Sequence, residues 1–210
     1  MKKLDKGSLN QLENSMNQHI SSNNKIYLFM DEYGRCGKAF TGNETHIMVQ
    51  KAITTSDGRI ELKKDEIEIP KGMKCEYKKG PNIDDMEQEW IIFNNTNNGS
   101  RKIYEDEVNF FKKLADATEV EWALASNSKT GGGKLFTTFS PTGADVSPAF
   151  SGGYDTLMHN HTGRIHDAST GDQYQLNYKD SGIWHLLKSR YDDYRDFIIY
   201  SEEENDFAYY

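Results

Sequence analysis

The hydrophobic pattern changes period partway along the chain, and this change limits the possible folds more than any other feature. From Lys25 to about Asn95 the apolar residues come in short runs punctuated by turn residues: Ile26-Tyr27-Leu28-Phe29-Met30, His46-Ile47-Met48-Val49, Ile60-Glu61-Leu62, Ile67-Glu68-Ile69 and Trp90-Ile91-Ile92-Phe93. Runs of that length predict strands, and Asp57-Gly58 predicts a hairpin turn. Asn94 to Ser100 is a polar, Asn-rich break. Beyond it Val108, Phe111, Leu114 and Ala115 recur at helical spacing. They predict a helix over 103–116, with Glu105 and Asp106 in its first turn, where the helix dipole favours acids. Strands are then expected at 120–125, 134–139 and 154–158. A helix with Ile183, Leu186, Leu187 and Arg190 follows Asp172, and a terminal hairpin runs through Phe197-Ile198-Ile199-Tyr200 and Phe207-Ala208-Tyr209-Tyr210. Near the start, Ser8, Leu9, Leu12, Met16 and Ile20 predict a short amphipathic helix. The expected architecture is α+β: a mixed β-sheet flanked by helices over residues 101–210, behind a region of 1–100 that holds the first helix and is otherwise β-rich.

Size and charge narrow the functional classes. At 210 residues the chain suits one large domain or a smaller one with an extension, and is short for a (β/α)₈ barrel with its usual loops. An apolar fraction of 36% together with 17 glycines supplies a sizeable core. The net charge of −8, from 25 basic and 33 acidic residues, argues against nucleic acid as the main partner, since phosphate binding needs clustered Lys and Arg. No stretch approaches 18 apolar residues, and Met1-Lys2-Lys3 leads into Leu4-Asp5-Lys6-Gly7 rather than an apolar signal. The expectation is a soluble chain with no membrane segment, cytoplasmic or exported as an effector without a classical signal peptide. Cys36 and Cys75 fit no metal spacing and are expected to be ordinary buried thiols. Trp122 and Trp184 are expected in the core. Thr130-Gly131-Gly132-Gly133 lacks the Lys-Ser/Thr of a phosphate loop and reads as a flexible hairpin connection.

Three of the six histidines fall within His159-Asn160-His161-Thr162-Gly163-Arg164-Ile165-His166. On a strand, residues i and i+2 share a face, so His159 and His161 can offer two imidazoles to one metal ion. Asp172 follows within Ser169-Thr170-Gly171-Asp172, and the intervening loop is long enough to return its carboxylate to the same ion. Two His and one carboxylate leave a fourth position for water, which is the open arrangement of a catalytic zinc. A proton acceptor that is not a ligand is also needed, and Glu119 and Glu121 stand on the 120–125 segment. A glutamate among Val120, Trp122 and Leu124 is costly to bury without a job or a partner.

The pattern His-x-His-x(10)-Asp with an included Ser-x-x-Asp, preceded by a glutamate on an earlier strand, resembles that of the JAMM/MPN (JAB-type) metallopeptidases. It is most similar to the JAB-like domains of bacterial Rhs-type polymorphic toxins, several of which carry the glutamate in a Val-Glu-Trp context like Val120-Glu121-Trp122. The resemblance covers roughly residues 103–210. It implies JAB/MPN layering, similar to that of cytidine deaminases. It also implies a zinc-dependent peptidase or isopeptidase acting on a protein or peptide substrate, as a bacterial toxin or effector domain. His159, His161 and Asp172 would hold Zn²⁺, Glu121 would be the general base with Glu119 as the fallback, and Ser169 would bond the oxyanion. One departure is Thr162, where the family usually has Pro after the second His.

Other readings stand beside this one. Ser169 and Asp172 also suit a helix cap. A JAB-like fold can act as a catalytically silent binding module. A structural site would close with a fourth ligand, most plausibly His166. A cupin-type centre would use His159, His161 and His166 inside a β-barrel, but the later His185 lacks the Pro-x-Gly turn expected before a cupin's last ligand.

Overall fold

The computed structural model describes residues 25–30, 36–39, 45–79, 89–139, 153–161, 196–201 and 205–209. The expected helices over 8–20 and after Asp172 lie outside them. The chain divides into two compact units, Met1–Ile69 and Pro70–Tyr210.

The first unit is a four-stranded sheet in the order β2-β1-β3-β4, formed by β1 (Lys25–Met30), β2 (Cys36–Ala39), β3 (His46–Thr54) and β4 (Ile60–Glu68). β1 runs parallel to β3, pairing Ile26 with Ile47 and Leu28 with Val49. These four side chains and Ile67 alternate onto one buried face. The Asp57-Gly58 turn forms as expected. Gly58 takes φ +79°, a left-handed conformation that favours glycine. The Asp57 carboxylate accepts from Thr55 Oγ1 (2.5 Å) and Arg59 Nε (2.6 Å), and these bonds hold its pKa below the usual value. The runs at 60–62 and 67–69 form one continuous strand rather than two. The charged Lys63 to Glu66 between them pair in register with Lys51 to Met48 on a largely exposed stretch.

The second unit carries β5 (Met73–Lys79), β6 (Glu89–Asn95), helix α1 (Arg101–Ala117), β7 (Ala123–Ser126), β8 (Lys134–Thr137), β9 (Thr156–His161), β10 (Asp196–Ser201) and β11 (Asp206–Tyr209). Its seven-stranded sheet has the order β11-β10-β9-β7-β8-β6-β5, with β9 and β10 parallel and the other neighbours antiparallel. The described architecture is thus mixed α+β, mostly sheet, with one helix among the described residues. No helix among them is long and apolar enough to cross a membrane. The division between units falls after Ile69, upstream of the boundary expected near residue 100. The reason is that β6 pairs with β8, Ile92 opposite Phe136, so β5 and β6 are strands of the larger sheet. The Asn-rich break is a bonded connection within this unit: Asn97 Nδ2 donates to Lys71 O (2.9 Å) and Gly99 N to Thr130 O (2.8 Å).

Helix α1 starts at Arg101 because Ser100 caps it, its side chain accepting from Ile103 N (3.4 Å). Two extra residues at this end move Glu105 and Asp106 out of the first turn, contrary to expectation. They pair one turn back with Arg101 (3.5 Å) and Lys102 (2.6 Å) instead. The inner face buries Tyr104, Phe110, Phe111, Leu114 and Ala115. Phe110 packs edge-on to Phe93 at 5.2 Å and Phe111 to Tyr200 at 6.1 Å, so α1 covers the sheet face carrying Phe93, Trp122 and Tyr200.

Glu107, also on that inner face, is fully buried. Its Oε1 accepts from Asn95 Nδ2 (2.7 Å), Gly132 N (2.9 Å) and Gly133 N (2.8 Å), and its Oε2 from Ser126 Oγ. The Gly-rich stretch does connect β7 to β8, but it is tied to the helix by this carboxylate rather than left flexible. A Cβ at Gly133 would lie 2.7 Å from Ala125 O, so the close approach of backbone to backbone requires glycine there. Cys75, expected buried, is half-buried on β5, whose Met73, Cys75 and Tyr77 alternate with Lys74, Glu76 and Lys78 at the sheet edge.

Candidate metal centre

β9 lies inside the seven-stranded sheet, with β7 antiparallel on one side and β10 parallel on the other. Its sequence Thr-Leu-Met-His-Asn-His is buried through Asn160, as suits a strand with neighbours on both edges. The pleat sends Met158 and Asn160 to the face that α1 covers. His159 and His161 go to the opposite face, at the C-terminal end of the strand. The expectation that both imidazoles share a face is met.

The two rings converge. Their Nε2 atoms are 3.1 Å apart and their centroids 5.0 Å, with ring planes inclined at 55°. Two nitrogens 3.1 Å apart, each about 2.05 Å from one ion, subtend roughly 98° there, near the tetrahedral value of about 109° for zinc. The donor pair therefore fits a shared zinc ion. The same separation also suits an N–H···N bond between one protonated and one bare nitrogen. His159 is 8% exposed, and its ring packs against Phe197 at 5.3 Å. Its position is thus set by the core, while His161 is half-buried at the rim.

Glu121 lies just ahead of β7, not on a strand as expected. The ladder pairs Ala123 with His159, and one further rung survives where Asn160 N donates to Trp122 O (3.2 Å). At the next position Glu121 comes level with His161. Its backbone is held on three sides. Trp122 N donates to Asn160 Oδ1 (2.7 Å), Asn160 Nδ2 donates to Val120 O (3.3 Å), and Thr137 Oγ1 donates to Glu121 O (2.6 Å). The flanking Val120 and Trp122 are fully buried, and Glu121 itself is 9% exposed. Trp122 is a core residue as expected, with Nε1 bonded to Thr118 Oγ1 (2.8 Å). Glu119 is half-buried.

Sequence reasoning missed Asn160 and Thr137. The available signal was polarity: an amide between two histidines on an apolar strand must face the helix-covered side, where burial demands hydrogen-bond partners. Asp172, Ser169, Thr162 and His166 lie outside the described residues. Among the described residues no group of three or more His, Cys, Asp and Glu is arranged to hold a metal ion. No family model matches this chain, nor does a curated protein or a solved structure.

Proposed function

We propose that this chain is a zinc-dependent peptidase or isopeptidase of the JAMM type, with His159, His161 and Asp172 as the metal ligands, and that it serves as a bacterial toxin or effector domain. The observation that carries this reading is the convergence of the His159 and His161 nitrogens to 3.1 Å beside a buried, braced Glu121. When bound, zinc supplies the Lewis acidity that makes water nucleophilic near neutral pH and polarises an amide carbonyl. Glu121 takes a proton from the attacking water and returns it to the leaving amine, and burial among Val120 and Trp122 keeps its backbone from shifting between these two acts. Ser169 donates to the developing oxyanion. The substrate is a protein or peptide. JAB/MPN layering, with helices on both sheet faces, belongs to the same proposal. A cupin-type centre is less consistent with a parallel β9 and β10 pair and a helix packed on the sheet, since cupins are antiparallel double-sheet jelly rolls.

Metal uptake tests the reading. Purified protein equilibrated with zinc should hold close to one ion per chain by elemental analysis, and His159→Ala or His161→Ala should weaken binding at least about tenfold, since each removes a ligand. A wild-type protein that takes up no zinc refutes it.

A further inference from the structure

We infer that Asn160 is the positioning residue for Glu121, an inference that rests on the metallopeptidase reading above. The ladder between β9 and the segment ahead of β7 is broken at Asn160. Asn160 N donates to Trp122 O, which makes these two residues a hydrogen-bonded antiparallel pair. In such a pair Trp122 N returns its bond to the Asn160 carbonyl. Here it goes to the Asn160 side chain at 2.7 Å instead, and the same carboxamide donates to Val120 O at 3.3 Å. One amide therefore bonds the backbone on both sides of Glu121. It grows from the residue between His159 and His161, so the segment carrying the base is indexed to the strand carrying the imidazoles.

Regular sheet pairing supplies only the single rung from Asn160 N to Trp122 O ahead of β7, which begins at Ala123. The amide also suits the task where other residues do not. Asn160 is fully buried, and its carboxamide offers an acceptor and a donor on one short planar group without a charge. Asp can accept from Trp122 N but sets an oxygen against Val120 O. Ala does neither. Asn160 points to the face opposite the imidazoles, so its task differs from that of a residue that orients a metal ligand, whose loss typically weakens metal binding 10–100-fold.

The test uses the full chain, Asn160→Ala, Asn160→Asp and Glu121→Gln, with amide hydrogen exchange and cobalt(II) as the metal probe. In Asn160→Ala the Trp122 amide should exchange at least about tenfold faster while those of Leu124 and Met158 keep their protection. In Asn160→Asp the Trp122 amide should stay protected, because its acceptor survives. The cobalt dissociation constant should stay within about threefold of wild type in Asn160→Ala, below the range for a ligand-orienting residue. The visible bands of its cobalt form should shift as those of Glu121→Gln do, since both variants displace the carboxylate beside the ion, and Asn160→Asp should fall between them and wild type.

Unchanged Trp122 exchange in Asn160→Ala overturns the clamp. Wild-type bands in Asn160→Ala alongside altered bands in Glu121→Gln overturn the positioning role, as does a tenfold or greater loss of cobalt affinity. If Asn160→Ala does not fold, the isosteric Asn160→Asp carries the cobalt readout, and wild-type bands there alongside altered bands in Glu121→Gln overturn the positioning role. A wild-type protein that takes up no cobalt overturns the metallopeptidase reading, and with it the role for Glu121, while the exchange data still report the clamp separately.

Discussion

Removing the Glu107 carboxylate should cost the second unit a large share of its stability. Glu107 sits on the inner face of α1, fully buried, and receives four donors: the Asn95 amide, the Gly132 and Gly133 backbone N–H groups and the Ser126 hydroxyl. A hydrogen bond to a charged group contributes about 1.5–3 kcal/mol net. Gly132 is only part-buried, so water can replace its bond. Taking the low end for the other three, Glu107→Ala should destabilise by about 4.5 kcal/mol, against a total of ~5–15 kcal/mol for a typical domain. Glu107→Gln keeps an oxygen for Asn95, Gly132 and Gly133 and offers an N–H toward Ser126. It loses the charge, which about halves each bond, so roughly 2 kcal/mol is expected.

Urea unfolding followed by tryptophan fluorescence reads this unit selectively, since Trp90, Trp122 and Trp184 all lie after Ile69. With a slope of ~1–3 kcal/mol per molar, Glu107→Ala should lower the midpoint by about 2 M without changing the slope. A loss under about 1 kcal/mol in Glu107→Ala, or a Gln variant as unstable as the Ala variant, would refute the reasoning, because the bonds would then not carry the energy assigned to them.

Three further outcomes are expected. Glu121→Gln should abolish amide hydrolysis, measured with a dye-labelled protein substrate, while zinc content stays at the wild-type level; if Glu119→Gln has that effect and Glu121→Gln does not, the base is Glu119. Gly133→Ala would bring a Cβ within 2.7 Å of both Ala125 O and Ser126 Cβ; this should destabilise by at least about 1–3 kcal/mol in the same urea assay, the range for overpacking a tight site. Burial, with the Glu107 carboxylate adding to it, pushes the Tyr154 phenol up to about 12 from an ordinary value of 10.0. The unfolded chain therefore loses this proton first as pH rises. The contribution is fully present below pH 10 and is lost between pH 10 and about 12, so Tyr154→Phe should flatten the fall in stability across that window.

Much of the local structure was legible before any coordinates. Short apolar runs punctuated by turn residues identified β1, β3, β6 and the β10 and β11 hairpin, because inner strands such as β6 and β10 are buried at consecutive positions. The helical spacing of Phe111, Leu114 and Ala115 located α1 to within two residues at its start. The strands β2 and β5 escaped because they are short or lie at a sheet edge, where pairing rather than apolar burial holds them. The unit boundary was misplaced for a related reason. A run of Asn residues looks like a linker, but here its amides bond Lys71 O and Glu107 within one unit.

The candidate site divides along the same line. The sequence by itself determined that His159 and His161 share a face, since that follows from the pleat of any strand, and it singled out Glu121 as an acid among apolar neighbours. Only the tertiary structure decided that the two nitrogens approach to 3.1 Å and that Glu121 is drawn level with them. The first depends on the packing of the His159 ring against Phe197, and the second on strands more than thirty residues apart in the chain being paired in one register, through contacts such as Asn160 to Trp122 and Val120. Register is a global outcome of packing two faces at once, and spacing along a single strand carries no trace of it.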